Sequence, residues 1–346
     1  MRLLNIKNGK EIKIVPKKHL PKLPSLLERK ISKTGQTRGA DDDVIYQNRV
    51  NRNNTVLIPF HQWKQDSSLR ELALKNNFFE KGYIVLISPS DYFSQKKPQN
   101  MLSNYSLKLG TNCLVFYETR IDWNSYNPKK SKWVAANSRQ APLGGKYVAR
   151  IPATTANDAE KAQKINLGYA SQSPKGAGIR LYEYANQQTI CLCMIQLEAE
   201  YWLCFDSIKI ASENGMTEEN ANFRKEQIFK LCKTQNLLDY DKLKKMRIIN
   251  AQNHTICPLC LKELSGNEFL NRVVQPEGRE VPDLTVTQVN LFHIDELKYG
   301  AFNHKPYNLG WGHHFCNVVV KDSGINQTLD WMQSVIKTNK DAGFIS

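Results

Sequence analysis

Two widely separated pairs of soft metal ligands constrain this chain more than anything else in it. Cys257-Pro-Leu-Cys260 has two residues between its sulfurs, and His313-His-Phe-Cys316 repeats that spacing after an interval of 52 residues. A CxxC knuckle directs both sulfurs at one point, and an HxxC on an opposing element completes a tetrahedral Cys3His set, the closed geometry of structural zinc. Simple fingers close shorter loops, so something folded has to lie between 264 and 310. His314 is the neighbour of His313, but only His313 keeps the two-residue spacing. Free thiols are the alternative. Cys113, Cys191, Cys193, Cys204 and Cys232 sit in apolar runs and read as buried thiols.

A second series is threaded between and after these ligands: Leu291-Phe-His293-Ile-Asp295, then Asn308-Leu, then Asn317 directly after Cys316. Residues 286–294 read as a strand carrying His293, and 315–321 as the start of a helix with Asn317 in its first turn. A hard divalent ion held near that helix start suits a phosphate oxygen and a leaving 3′-oxygen. A neutral imidazole at His293 suits removal of a proton from the attacking water. Taken together, Cys257/Cys260, His293, Asn308, His313/Cys316 and Asn317 resemble the HNH (ββα-metal) nucleases, over about residues 254–325.

The resemblance implies His293 as general base, Asn317 as a ligand of one Mg2+-like ion, and products with 5′-phosphate and 3′-hydroxyl ends. It implies that Asn308 either orients the His293 ring or ties the loop to the strand. Lys321 falls where the family often carries a basic residue and is a candidate DNA contact. One position departs: the residue before the base is commonly Asp or His, a metal ligand, and here it is Phe292. Asp295, on the same strand face as His293, is a substitute oxygen donor. His293 itself or His304 are the other candidates for the catalytic ion, and His304 is also a candidate phosphate contact. A zinc module that binds DNA without cutting it, with His293 structural, is the non-enzymatic alternative.

Charge locates the grip on a polyanion. The formal net charge is +15, yet residues 253–346 hold eight Lys/Arg against ten Asp/Glu, so the first 252 residues carry +17. Residues 1–40 alone have eleven basic and two acidic side chains, and phosphate affinity scales with the phosphates neutralised. Pro16, Pro21 and Pro24 mark those residues as a basic arm with Lys17, Lys18, Arg29 and Lys30 along it. The acidic knot Asp41-Asp42-Asp43 is either a metal site or a turn or helix cap, the cap being favoured. No run of eighteen apolar residues and no signal-like h-region is present, so a cytoplasmic protein without a membrane span is expected.

From 44 to 210 short apolar runs of strand length dominate: 55–60, 83–87, 113–117, 146–151, 180–184 and 189–195. Helices are expected at 67–76, at 157–165 behind an Asn157 cap, at 216–235 behind Thr217, and at 239–249. The loop 123–145 interleaves Trp123, Tyr126 and Trp133 with Lys129, Lys130, Lys132 and Arg139. It suits backbone contact with base stacking, or equally a surface loop anchored by its tryptophans. Gly144-Gly145-Lys146 lacks the rest of a phosphate loop, and Glu198-Ala-Glu200 lacks the lysine of another nuclease class.

The expected protein is therefore α+β. It has a basic arm over 1–40, a strand-rich DNA-recognition domain over 41–210, a helical connector over 211–252, and a zinc-stapled ββα-metal (HNH) domain over 253–346. The expected function is a sequence-specific double-strand DNA endonuclease, a Type II restriction enzyme, using Zn2+ structurally and Mg2+ in catalysis. A palindromic target calls for a homodimer. A modification-dependent restriction enzyme is the nearest enzymatic alternative, followed by a homing nuclease.

Overall fold

A computed structural model describes residues 20–37, 50–136, 141–169, 178–273, 286–321 and 323–346, with the main chain alone of 3–7 and 10–15. Asp41–Asp43, Arg139, Pro16, Lys17 and Lys18 lie outside the described residues. Main-chain proximity divides the chain into two units, one made of Met1–Gly35 and Gln187–Ser346 and the other of Gln36–Asn186. The division thus falls at 35 and 186, against the 40 and 210 expected.

The N-terminal 35 residues contain regular structure rather than an irregular arm. Strands β1 (Leu3–Lys7) and β2 (Lys10–Val15) pair antiparallel, and helix α1 (Ser25–Lys33) follows. Pro24 stands at the N-cap, where its missing N–H costs nothing. Leu27 and Ile31, four residues apart, are buried together and give the helix its apolar face.

In the second unit β3 (Gln36–Thr37) and β4 (Val50–Asn51) make a short antiparallel ribbon. Next come β5 (Val56–Pro59), α2 (Phe60–Gln65), α3 (Ser67–Lys75), β6 (Tyr83–Ile87), α4 (Pro89–Phe93) and α5 (Pro98–Asn104). The unit continues with β7 (Cys113–Tyr117), α6 (Arg120–Ser125), β8 (Tyr147–Ile151), α7 (Ala159–Ala162), β9 (Ile165–Leu167) and β10 (Ile179–Arg180). The sheet order is β10-β5-β6-β7-β8-β9, parallel except for β9. The central strands β5, β6, β7 and β8 are largely buried on both faces, which is why they read as apolar runs, Arg150 of β8 excepted. Leu57, Ile84, Leu86, Leu114, Phe116 and Val148 line one face. Short polar side chains start the helices: Asp66 accepts from Leu69 N–H, Ser88 from Asp91 N–H ahead of α4's Pro89, and Thr119 from Asp122 N–H. Asp158, not Asn157, caps α7, which spans four residues.

Two expected strands are corrected. Residues 180–184 hold only the end of β10 and a 3-10 turn. Residues 189–195 belong to helix α8 (Gln187–Trp202), the centre of the first unit. That helix is buried on nearly every side, from Ile190 through Trp202, so it has no polar stripe to betray a 3.6-residue period.

Helices α9 (Ser207–Glu213) and α10 (Glu218–Thr234, capped by Thr217) pack on α8, and α11 (Tyr240–Lys245, capped by Asp239) follows. Arg224 of α10 grips Glu198 of α8 through two bonds, Nε–Oε1 at 2.6 Å and Nη2–Oε2 at 2.9 Å. Burial of both partners makes this pair a core constraint. Strands β11 (Val289–His293) and β12 (Leu309–His313) form an antiparallel hairpin, and α12 (His314–Val320) and α13 (Ile325–Asp341) end the chain. The hairpin is fastened to α8: Trp311 Nε1 donates to Leu197 O at 2.8 Å, and Gln196 accepts from Tyr307 N–H at 2.7 Å while donating to Leu237 O. Among the described residues no helix is long and apolar enough to cross a membrane.

Candidate metal centre and active site

The first half of the metal centre is a knuckle. Cys257 N–H donates to Lys262 O and Leu261 N–H to Cys257 O, with Leu261 in the left-handed region at φ 60°. The second half is the junction of β12 with α12: His313 ends the strand and Cys316 lies in the first helical turn. The donor atoms of Cys257, Cys260, His313 and Cys316 all lie within 4.8 Å of one another. Sulfurs at the usual ~2.3 Å from a tetrahedral zinc stand roughly 3.8 Å apart, so the set fits. His314 is turned elsewhere, its Nδ1 3.2 Å from Asn290 Nδ2.

The electrostatics of Cys257, His313 and Cys316 follow from this packing. Burial raises the Cys257 thiol, but bonds from His313 and main-chain N–H groups outweigh it and bring it down to about 6. The Cys257 sulfur, with Glu268, holds the His313 ring up at about 10. Burial and the Cys257 and Cys260 sulfurs together push Cys316 up to about 12. Thiolates this close repel one another, and a divalent ion among the four donors would remove that conflict.

Glu268 was not anticipated. His313 Nδ1 faces Cys260 Sγ at 3.3 Å, while its Nε2 faces Glu268 Oε1 at 3.5 Å. A carboxylate on the far ring nitrogen fixes the tautomer that offers Nδ1 to the ion. Glu268 is itself held by a capping box in which its Oε2 accepts from Ser265 N–H at 2.9 Å. The Ser265-x-x-Glu268 pattern was visible, but nothing local tied it to His313.

At the other end of the hairpin the register pairs His293 with Leu309. His293 is half-buried, with Nε2 3.2 Å from Nδ1 of His304. Asn308 is buried and ties the loop to the strand: its Oδ1 accepts from Asp295 N–H, and its Nδ2 donates to Asp295 O and Asn303 O. Asn317 Nδ2 donates to Leu291 O at 3.3 Å, which joins α12 to β11. Phe292 is fully buried against Gly312, where a Cβ would come within 2.6 Å of its ring, so it can reach no ion. Asp295 is exposed and lines a surface pocket with Asn303 and residues 323–327. His304 is buried, with its Nε2 3.0 Å from Thr34 Oγ1 and its Nδ1 3.2 Å from His293 Nε2. Lys321 is exposed at the end of α12, with φ 44°.

The aromatic loop of the other unit is anchored. Phe93 is sandwiched between Tyr126 (5.3 Å, 5°) and Trp133 (5.3 Å, 25°), and Trp123 packs on Tyr117. Lys129, Lys130 and Lys132 stand exposed beside them.

Comparison with known families now adds its finding. The model of the BstXI restriction endonuclease family matches residues 29–314, well over half of the chain. The chain belongs to that family. The matched span includes Cys257, Cys260, His293, His304, Asn308 and His313, and it ends just before Cys316 and Asn317. Membership places the chain among the DNA-cleaving hydrolases of restriction systems. No curated protein and no solved structure matches it significantly.

Proposed function

We propose that this chain is a sequence-specific Type II restriction endonuclease that cuts both strands of DNA at an HNH-type centre within residues 253–346. The observation that carries the reading is the β11–β12–α12 sequence, with the Cys3His cluster at its strand–helix junction and His293 on its first strand. Zinc at the cluster is structural in this reading, because four protein donors close the shell and leave no position for substrate.

His293 is the general base. With Nε2 held by His304, the proton of the attacking water goes to Nδ1. Asn317 Oδ1 and Asp295 are the oxygen donors offered to a catalytic Mg2+, taking over from the position that Phe292 cannot serve. Such an ion, when bound, supplies positive charge to the scissile phosphate and the leaving 3′-oxygen. Asn308 keeps Asp295 at a fixed distance from the strand that bears His293. Attack by water with cleavage of the bond from phosphorus to the 3′-oxygen, which leaves and takes up a proton, gives 5′-phosphate and 3′-hydroxyl ends.

Lys321 and the exposed Lys129, Lys130 and Lys132 are proposed DNA contacts, and Trp133 a wall of that loop rather than a stacking platform. A palindromic target requires two centres, and we take the protein to act as a homodimer in the cytoplasm of its host. Helix α13 supports this with Leu329, Trp331, Val335 and Ile336 exposed along it, an apolar surface unusual for a lone monomer.

Digestion of unmodified and methylated phage DNA in Mg2+ tests the reading, with the fragment ends mapped by run-off sequencing. Discrete bands from unmodified DNA are expected. Bands from methylated DNA alone would make it a modification-dependent enzyme. Salt-sensitive binding with no cleavage of either substrate would reduce it to a zinc-stabilised binding module.

A further inference from the structure

We propose that His304 is a positioning residue for His293, and that it does this work through a hydrogen-bonded line ending at Thr34 of the N-terminal segment. The inference rests on the reading of His293 as the general base. His304 Nδ1 lies 3.2 Å from His293 Nε2, and its Nε2 lies 3.0 Å from Thr34 Oγ1. His304 is 1% exposed and Thr34 0%, so the stretch from His304 to Thr34 runs through the interior, and the line meets solvent only at the half-buried His293.

Both ends of the line are held. Thr34 is the C-cap of α1, with its N–H on Ile31 O. One helical turn earlier the buried Lys30 donates to Thr287 Oγ1, to Val289 O and, at 3.4 Å, to Asn290 Oδ1. Residues four apart share a helix face. Helix α1 therefore braces β11 at two points, directly at Val289 and through His304 at His293. The loop that carries His304 is fastened as well: Asn303 Nδ2 donates to Glu296 O at 2.8 Å, and Asn308 Nδ2 to Asn303 O at 2.8 Å. Asn308 uses its amide on the Asp295 and Asn303 main chain. His304 is the side chain on this line that touches the base ring.

The line also couples the tautomers of the two rings. When His304 Nε2–H donates to Thr34 Oγ1, His304 Nδ1 is an acceptor and takes the hydrogen bond of His293 Nε2–H. His293 Nδ1 is then the lone-pair nitrogen that a base needs. In the reverse order His304 Nδ1–H points at His293 Nε2, the proton of His293 sits on Nδ1, and the base is blocked there. The proposal asserts the first order.

The test uses the full chain with His304→Ala, Thr34→Val and Thr34→Ser, read by single-turnover cleavage, DNA affinity without Mg2+, and zinc content. Loss of ring orientation is expected to lower the cleavage rate about 10–100-fold in His304→Ala. Thr34→Val should lose less, and Thr34→Ser should recover what the valine lost; DNA affinity and zinc content should stay as in the parent. An unchanged rate in Thr34→Val, or a serine variant as slow as the valine one, overturns the proposal. Should His304→Ala fail to fold, the nearly isosteric Thr34 pair still decides. Full activity in His293→Ala refutes the base assignment itself, whereas an inactive His293→Ala beside a fully active His304→Ala refutes only the line.

Discussion

The β11–β12 hairpin has two ends that are built on opposite principles. At one, Val289 faces His313 in register, and four donors from two stretches of chain converge on a point. At the other, His293 faces Leu309, and polar side chains run in a line from the strand to the N-terminal segment. A convergent cluster of like-charged sulfurs is unstable until a cation fills it, so its contribution is conditional on metal. A line of neutral hydrogen bonds is complete in itself and contributes orientation. The hairpin can thus separate stability from chemistry, with about four residues of strand, roughly 13 Å at ~3.4 Å per residue, between them.

That contrast can be broken at several points, beginning with the largest effect. Cys260→Ser removes one sulfur from the cluster; we expect zinc content to fall well below one per chain and the melting transition of the unit that holds the cluster to move down sharply. Normal zinc and normal melting in that variant would show that the four donors do not act on one ion. Glu268→Gln keeps the shape but removes the charge facing His313 Nε2, and a chelator competition should report roughly tenfold weaker zinc binding. Gly312→Ala drives a methyl to within 2.6 Å of Phe292, between the two ends, and urea denaturation should find about 1–3 kcal/mol less stability. Smallest is Leu261→Gly in the knuckle. It relieves a φ of 60° at a half-exposed leucine but adds unfolded-state entropy, so a gain under about 1 kcal/mol is expected.

The convergent end was legible because spacing carries it: the repeated two-residue interval in Cys257/Cys260 and His313/Cys316 survives any uncertainty about what lies between. The same holds for the strand with His293 and the helix start with Asn317, whose patterns are local. The linear end was not legible. Thr34 and His304 are 270 residues apart in the chain, and no motif announces a hydrogen bond between them. Helix α8 was misread for a different reason: Ile190 to Trp202 is enclosed on all sides, and Thr189-Ile-Cys-Leu-Cys-Met-Ile195 is as apolar as a core strand. In the other unit the four central strands were found at nearly their true limits, whereas 180–184 was not a strand and β9 was missed, and α2, α4, α5 and α6 have seven residues or fewer. Helices that short show hardly two turns of pattern, so the parallel order of the sheet they connect stayed hidden.

The central claim is that one hairpin holds zinc for structure at one end and a proton acceptor for chemistry at the other. Single-turnover cleavage by His293→Ala, with zinc and DNA affinity measured on the same preparation, tests it most directly. The account predicts one zinc per chain, DNA bound as tightly as by the parent, and a cleavage rate lower by about 10²–10⁴-fold. Cleavage at the parental rate would contradict it.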